Sequence, residues 1–257
     1  MPPAAPPPLS PRARLRWDLV RRIVAEIAPA SVLEIGCGQG SMGARLAEMT
    51  QTYRAVEPDE ASCALAAERI GARGGEVVRG DHTAVPDAWT TGGGSDLVCA
   101  FEVLEHIDDD AAALADWVGL ARPGGHVLLS VPAWPDRFGA SDEKVGHFRR
   151  YTPDGLAQVM ADAGLSAPFT QMYGWPLGYA LELVSNRLDA RALAGGSVPT
   201  DVASRTATSG RNRQTSSRLV GTALAVGTAP FALAQRLVPR RGPALVGLGR
   251  RPGRNGP

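Results

Sequence analysis

Ser31-Val32-Leu33-Glu34-Ile35-Gly36-Cys37-Gly38-Gln39-Gly40 is the stretch on which the fold turns. Its first half is a short apolar run that reads as a buried strand. Its second half places a glycine at every other position, where a strand would turn into a helix. Glycines at such a turn let the backbone approach a ligand where side chains would collide. Gly40 to Met49 then reads as the helix that follows the loop.

Working outward, the same alternation repeats. Leu19, Val20, Ile23, Val24 and Ile27 recur at helical spacing before Pro29 stops the run. Tyr53 to Glu57 reads as a second strand, and Asp59 caps a helix running to Arg69. Glu76 to Arg79 reads as a third strand, and the turn Gly92 to Gly94 leads into a fourth, Asp96 to Phe101. Leu114, Trp117, Val118 and Ala121 mark another helix, ended by Pro123-Gly124-Gly125. His126 to Val131 is the fifth strand. Thr152 and Pro153 start a helix with Leu156, Val159, Met160 and Ala163 on its buried face and Gly164 as its C-cap. Phe169 to Tyr173 and Ala244 to Leu248 supply strands six and seven. Strands alternating with helices predict an α/β fold with a parallel sheet covered on both faces. Ligands of such sheets bind outside the carboxyl ends of the strands, beside the first one.

The organisation follows from composition. Residues 1–14 are rich in proline and alanine, lack a basic segment before an apolar core, and read as a disordered lead-in. Residues 15–175 form the ligand-binding core. About seventy residues separate the sixth strand from the seventh, too many for a simple connection. Trp175 to Leu193 and Arg218 to Val238 read as helices, and Gly195 to Thr215 between them, rich in Ser, Thr, Gly and Arg, as a mobile loop. Residues 176–243 are thus a helical insertion that could cap an acceptor site, and 244–257 hold the last strand and a tail.

A formal net charge of +1 gives no field for nucleic acid, and the basic clusters Arg211 to Arg218 and Arg236 to Arg254 lie among Gly, Pro, Ser and Thr as solvated surface. The three cysteines, Cys37, Cys63 and Cys99, sit in apolar or small-residue contexts, as reduced thiols of a cytoplasmic protein do. The uncharged stretch Leu219 to Gln235 falls short of the roughly 20 strongly apolar residues of a span. A buried helix is expected there, with peripheral membrane contact through 219–238 as the alternative. No metal-ligand spacing is evident: the four histidines are scattered, and Asp108-Asp109-Asp110 reads as a helix N-terminus.

Several residues point to a ligand. Gly38-Gln39-Gly40-Ser41-Met42-Gly43 matches the dinucleotide fingerprint G-x-G-x-x-G literally, but the glycine nearest the strand is Gly36, so the register is poor. Glu34, a carboxylate at the strand's end, suits a ligand with an ammonium and a sulfonium and would repel a pyrophosphate. Glu57, roughly twenty residues past the loop, is placed to accept both ribose hydroxyls of an adenosine ligand. Asp81 could accept an adenine amino group with His82 or Ala84 against the ring, or simply form a turn.

Val32 to Gly40, Val56 to Asp59, Gly80-Asp81, Asp96 to Ile107 and Arg122 to Ser130 together resemble the class I S-adenosylmethionine-dependent methyltransferases, particularly the group that includes ubiquinone-type and small-molecule methyltransferases. The resemblance implies a Rossmann-like, mostly parallel seven-stranded sheet with helices on both faces and a helical insertion before the last strand. It implies S-adenosylmethionine as cofactor, with Glu34, Gly36, Gly38 and Gly40 around the methionine end. Glu57 would then hold the ribose, Asp81 and His82 the adenine, and Phe101 and Glu102 would lie beside the methyl group. Val145 to Pro153 looks like a segment of members acting on cell-envelope, glycan or lipid-linked substrates. The implied reaction moves the methyl group to an oxygen or nitrogen of a small-molecule, glycan or lipid-linked acceptor.

Such a transfer needs a base only if the acceptor arrives protonated. His147, beside Arg149 and Arg150, and His106, which otherwise braces its loop, are the candidates. Trp134 and Tyr151 are candidate walls of the acceptor pocket. An NAD-dependent oxidoreductase using the Gly38-to-Gly43 register, and a scaffold that binds S-adenosylmethionine without catalysis, are the competing readings.

Overall fold

The computed structural model describes residues 5–195 and 218–253, so the expectation of a mobile loop from Gly195 to Thr215 falls almost wholly outside the described residues. Seven strands, β1 (Ser31–Ile35), β2 (Thr52–Glu57), β3 (Glu76–Arg79), β4 (Ser95–Phe101), β5 (Ala121–Pro132), β6 (Ser166–Tyr173) and β7 (Ala244–Arg250), form one sheet. Their order is β3-β2-β1-β4-β5-β7-β6. The first five pair in parallel, and β7 runs antiparallel between β5 and β6. The doubly wound dinucleotide sheet has no such reversed strand in its six-stranded order.

Alternation along the strands divides the core. Val32 of β1, Leu97 and Cys99 of β4, Leu128 of β5 and Val246 of β7 face one side. There they meet α1 (Pro11–Ile27), α2 (Gly43–Leu46) and α3 (Glu60–Gly71) through Leu15, Leu19, Val24, Leu46 and Ile70. Leu33, Val98, Val127, Leu129 and Leu245 face the other side. That side packs on α4 (Asp87–Thr90), α5 (Asp110–Leu120) and α7 (Pro153–Asp162) through Trp89, Leu114, Trp117, Leu156 and Met160. A short α6 (Ala140–Val145) precedes α7, and α8 (Leu177–Ala194) and α9 (Arg218–Leu237) make up the helices of the insertion.

Two sequence expectations are corrected. The ordered chain begins before residue 15: α1 starts at Pro11 on a Ser10 cap that accepts from Ala13 N, Leu9 is buried, and Arg45 donates to the Pro7 carbonyl. Hydrophobic burial of Leu9 outweighs the disorder that its proline-rich neighbours suggested. The helix read from Gly40 to Met49 is only four residues long. Gly40 has φ +75° and lies so close to α3 that a Cβ would come within 3.0 Å of the Ala66 Cα. The chain therefore leaves the loop as turns, and Gly43 lets it pass over Tyr53, whose hydroxyl would clash with a Cβ there.

Candidate active site

The carboxyl ends of β1, β2 and β4 open into a cavity of about 1310 Å³ that runs from the glycine loop to α6 and α8. The same alternation that sorts the core places Glu34 and Glu57 on the α1–α3 side with Tyr53. Glu34 is 2 % exposed and accepts a hydrogen bond from the Tyr53 hydroxyl. Burial pushes its carboxyl up to about 7, against the opposing pull of Tyr53 and Arg16. Glu57 spans two amides, accepting from Gly38 N at 2.7 Å and from Asp59 N at 3.0 Å. Each of its oxygens keeps a lone pair for a hydroxyl. Burial pushes the Glu57 carboxyl up as well. Gly38 has φ +55°, and a Cβ built on it meets nothing within 4 Å. The loop thus presents bare backbone to open space.

Asp81 and His82 line the cavity, and both are also engaged locally. Asp81 Oδ1 accepts from Thr83 N at 2.8 Å and from its hydroxyl at 2.6 Å, which makes Asp81 the cap of a tight turn. His82 Nε2 lies 3.2 Å from Asp116 Oδ2, with its ring edge-on to Trp117. Phe101 and Glu102 complete the floor. Glu102 has φ +60°, a strained conformation for a side-chain-bearing residue. Its Oε1 accepts from Ser130 Oγ at 2.9 Å and from the Tyr173 hydroxyl at 3.2 Å, and Arg16 Nη1 lies 3.1 Å away. Burial works against its ionisation, yet Arg16 and the Ser130 hydroxyl hold its carboxyl below the ordinary value.

Arg16 is the residue that sequence reading missed. It projects from α1 into the cavity wall, its guanidinium 5.9 Å from the Phe101 ring centroid, with Nε buried and without a hydrogen-bond partner among the described residues. Its helical register beside Leu15 and Leu19 gave no hint of a polar role.

At the far end the structure gathers residues about forty apart in sequence. Phe148 N donates to the Glu105 carbonyl at 2.8 Å, and Tyr151 donates to Asp110 at 2.6 Å. These bonds lay the loop after α6 over the segment after β4. His147 and His106 face one another with ring centroids 4.6 Å apart and both line the cavity. Burial and the neighbouring His147 push His106 down to about 3, which keeps it neutral. His147 Nδ1 lies 2.7 Å from Asp142 Oδ1. Burial opposes ionisation of Asp142, but His147 and Arg150 hold its carboxyl at about 2. An ionised carboxylate only accepts, so Nδ1 of His147 donates to Asp142. Arg150 grips Asp142 with two nitrogens, at 2.9 and 2.7 Å, and also donates to Glu182 of α8, which Arg137 holds as well at 2.6 Å.

Trp134 and Tyr151 are not walls of this cavity. Tyr151 is buried in the core against Asp110, and Trp134 packs on that core and donates to the Gly242 carbonyl at 3.1 Å. Glu105, which the sequence offered only as a neighbour of His106, lies fully buried beside both histidines. The four histidines are scattered in the sequence, but the fold brings Glu105, His106 and His147 together, with side-chain donor atoms that all lie within 4.8 Å of one another. No helix of the described residues is long and apolar enough to cross a membrane.

The fold has known counterparts. The sequence profile of a family described as a methyltransferase domain matches residues 11–167. An uncharacterised methyltransferase of Mycolicibacterium gilvum is 30% identical over 118 residues, 46% of this chain and 45% of that protein. A ubiquinone biosynthesis O-methyltransferase of Thiobacillus denitrificans is 32% identical over 117 residues, 46% of this chain and 49% of that protein. The chain spans about half the length of the curated relatives it matches. Among solved structures, phosphoethanolamine N-methyltransferase 2 of Haemonchus contortus, in complex with S-adenosyl-L-methionine, superposes with a TM-score of 0.55 at 16% identity, covering 92% of this chain and 53% of that one. The YcgJ protein of Bacillus subtilis gives 0.55 at 14% identity, covering 92% and 98%. At these identities the likeness is one of fold.

Proposed function

The chain belongs to the S-adenosylmethionine-dependent methyltransferase family that its profile matches, and from that premise we propose that it methylates an oxygen or nitrogen of a small-molecule, glycan or lipid-linked acceptor. One observation carries the reading: a single cavity joins the glycine loop and Glu57 at one end to His106 and His147 at the other. At about 1310 Å³ it exceeds the roughly 300–1,000 Å³ of an ordinary ligand pocket, which leaves room for a cofactor and an acceptor side by side.

The residues fit S-adenosylmethionine. The backbone of Gly36 and Gly38 borders the methionine end, where Glu34 meets the ammonium group and Arg16 the carboxylate; Gly40, expected there too, instead turns the chain against α3 and does not line the cavity. Glu57 accepts the ribose hydroxyls with the lone pairs that Gly38 and Asp59 leave it. Asp81 and His82 border the adenine, the former chiefly as the turn that shapes the pocket. Phe101 and Glu102 lie at the centre, where the methyl group would be. When bound, the cofactor supplies an electrophilic methyl carbon on a charged leaving group, so the protein's task is to hold the acceptor in line with it. The acceptor's reacting atom faces His106 and His147, and where it carries a proton Nε2 of His147 is placed to take it. Asp142 then stabilises the imidazolium through Nδ1.

The reversed β7 and the carboxylates around the loop favour this reading over a nicotinamide-dependent oxidoreductase. Calorimetric titration with S-adenosylmethionine, its demethylated product and NADH tests it, on the wild type and on Glu57→Ala. The expected result is binding of the first two, weakened at least tenfold by the substitution, and none of NADH; charged hydrogen bonds of about 1.5–3 kcal/mol set that scale. NADH binding without S-adenosylmethionine would overturn the proposal. Cofactor binding with no turnover across a broad acceptor panel would favour a non-catalytic scaffold.

A further inference from the structure

We infer that the two helices of the insertion, α8 and α9, form a docking surface for an anionic lipid bilayer. Both helices are built inside out. On α8 the carboxylates of Glu182 and Asp189 are buried, while Leu183, Val184 and Leu188 are exposed. On α9 Thr228 and Gln235 are buried, while Val226, Leu233 and Leu237 are 70%, 60% and 81% exposed. Six of the ten large hydrophobic side chains exposed among the described residues therefore lie on these two helices. A helix that only covered a core would turn them the other way.

Neither helix can roll over to hide its apolar side, because the polar side is bonded to the core. Glu182 accepts from Arg137 and Arg150, and Asp189 from Ser141 and Lys144. Gln235 accepts from Gly174 N at 2.9 Å and donates to the Leu15 carbonyl at 3.0 Å. On the outer side of α9, Val226, Ala229, Pro230, Leu233 and Leu237 follow at steps of one to four residues and make one stripe. Between Leu219 and Gln235 the sequence holds no charged residue. Since no helix of the described residues is long and apolar enough to cross a membrane, such a stripe suits a helix lying in the interface.

Charge selects the occupant. Arg187 and Arg191 flank the apolar side chains of α8, and Arg236, Arg240 and Arg241 follow those of α9, all five exposed. Both carboxylates among the described residues of the insertion, Glu182 and Asp189, are buried in ion pairs. The surface that remains is apolar and cationic, which complements lipid chains beneath anionic headgroups. Arginine stems lie along apolar surface while the guanidinium reaches a phosphate. Each such arginine tightens binding to an anionic leaflet roughly fivefold. A second copy of the chain on the same face would set arginines against arginines. The surface also adjoins the cavity. Arg12 Nη2 donates to Ser185 Oγ of α8 at 3.2 Å, and Gly221 of α9 sits so close to Pro8 that a Cβ would clash with it. Pro8, Leu9 and Arg12 line the cavity, so an acceptor whose tail stays in the bilayer meets the cavity rim there. Only that last consequence rests on the proposed function; docking itself is independent of it.

The test is co-sedimentation of the full chain with vesicles of phosphatidylcholine mixed with phosphatidylglycerol, set against phosphatidylcholine alone. Binding to the mixed vesicles should be at least about tenfold tighter and should weaken as salt is added. Val226→Glu combined with Leu233→Glu should weaken it at least about tenfold, with affinity for the demethylated cofactor within about twofold of wild type. Phe169→Glu, an equally exposed apolar position on β6 outside the insertion, should bind as wild type does. No binding to the mixed vesicles, wild-type binding by the folded double variant, or equal loss in Phe169→Glu overturns the inference. So does self-association that the double variant abolishes while vesicles bind neither protein, which would give the face to a second copy. Should the double variant fail to fold, Leu237→Cys carrying an environment-sensitive fluorophore reports directly, since Cys37, Cys63 and Cys99 are buried. A blue shift on the mixed vesicles supports docking through α9, and an unchanged spectrum overturns it. Vesicle binding without cofactor binding would leave the surface standing and defeat the proposed function; the converse would do the reverse.

Discussion

The two ends of the cavity are built by different physics. At the cofactor end, main-chain groups fix the geometry: Glu57 is held by the amides of Gly38 and Asp59, and Gly36 N donates to the Val56 carbonyl. Those bonds join neighbouring parallel strands whose register is set by burial on both faces. At the acceptor end, side-chain charges fix the geometry. His147 rests on Asp142, Asp142 on Arg150, Arg150 on Glu182, and Lys144 and Ser141 tie Asp189 of α8 to α6. A frame of amides survives most side-chain changes, whereas a chain of buried charges fails when one link is cut.

The largest expected effect breaks that chain. Arg150 and Glu182 have side chains 5% and 6% exposed, so Glu182→Ala removes one of the two carboxylates on a buried guanidinium and leaves it on Asp142 alone. Losing such a charged hydrogen bond costs about 1.5–3 kcal/mol. The cost should fall on the docking of α8 and α6, reducing turnover at least tenfold while leaving affinity for the demethylated cofactor within about twofold. Calorimetry and steady-state kinetics on the same preparation check this. A parallel collapse of cofactor affinity would mean that the two ends are a single cooperative unit, and the contrast drawn above would be wrong.

The same contrast explains what could be read from sequence. Every strand and the glycine-rich turn after β1 were legible because alternation and glycine spacing are local signals. Glu34, Glu57 and Glu102 were legible because each lies at or just past a strand's end. Arg16 was not, since a cation on an amphipathic helix looks like surface until the sheet places Phe101 and Glu102 beneath it. Nor was the meeting of Glu105, His106 and His147, which depends on the loop after α6 folding back across about forty residues through Phe148, Arg149 and Tyr151. Trp134 and Tyr151 read in sequence either as acceptor-pocket walls or as ordinary packing, and it is packing that holds: the register of the bridge between Ala133 and Tyr151 turns Tyr151 inward, and Trp134 packs on the same core.

A middle-sized effect sharpens the comparison at the cofactor end. Glu34 titrates at about 7, facing Tyr53 and Glu57 from β2, Arg16 from α1, and the thiols of Cys37 and Cys99. Its carboxylate form, dominant above that pH, is the one that attracts the cofactor's ammonium. Between pH 8 and pH 6 its ionised fraction falls about tenfold, so affinity for the demethylated cofactor should fall by roughly the same factor. Glu34→Gln should bind weakly and with a flat profile over the same range. A wild-type profile equally flat would place Glu34 outside the binding interaction and leave it as a support for Tyr53 alone.

The smallest effect concerns the seam where the insertion meets the core. Asp18 of α1 accepts from Arg236 Nε of α9 at 3.0 Å, and Gln235 of α9 donates to the Leu15 carbonyl at 3.0 Å. This tether is a side-chain one, so it belongs with the acceptor end, but Arg236 is partly exposed, at 35% of its side chain. Solvent screening limits the pair to about 1 kcal/mol. Asp18→Asn should therefore lower thermal stability only slightly at neutral pH. Burial opposes ionisation of Asp18, yet Arg236 and Arg21 hold its carboxyl below the ordinary value of 3.8. A carboxyl depressed in the folded state stabilises above its unfolded pKa and ceases to as pH falls through the folded one. The difference between wild type and Asp18→Asn should thus be full at pH 7 and shrink in acid, as pH falls through the depressed folded-state pKa. A difference that persists undiminished in acid would show that the substitution acts through packing against Leu15 and Gln235 instead of through charge, and would move α9 from the charge-built part of the molecule to the core-built part.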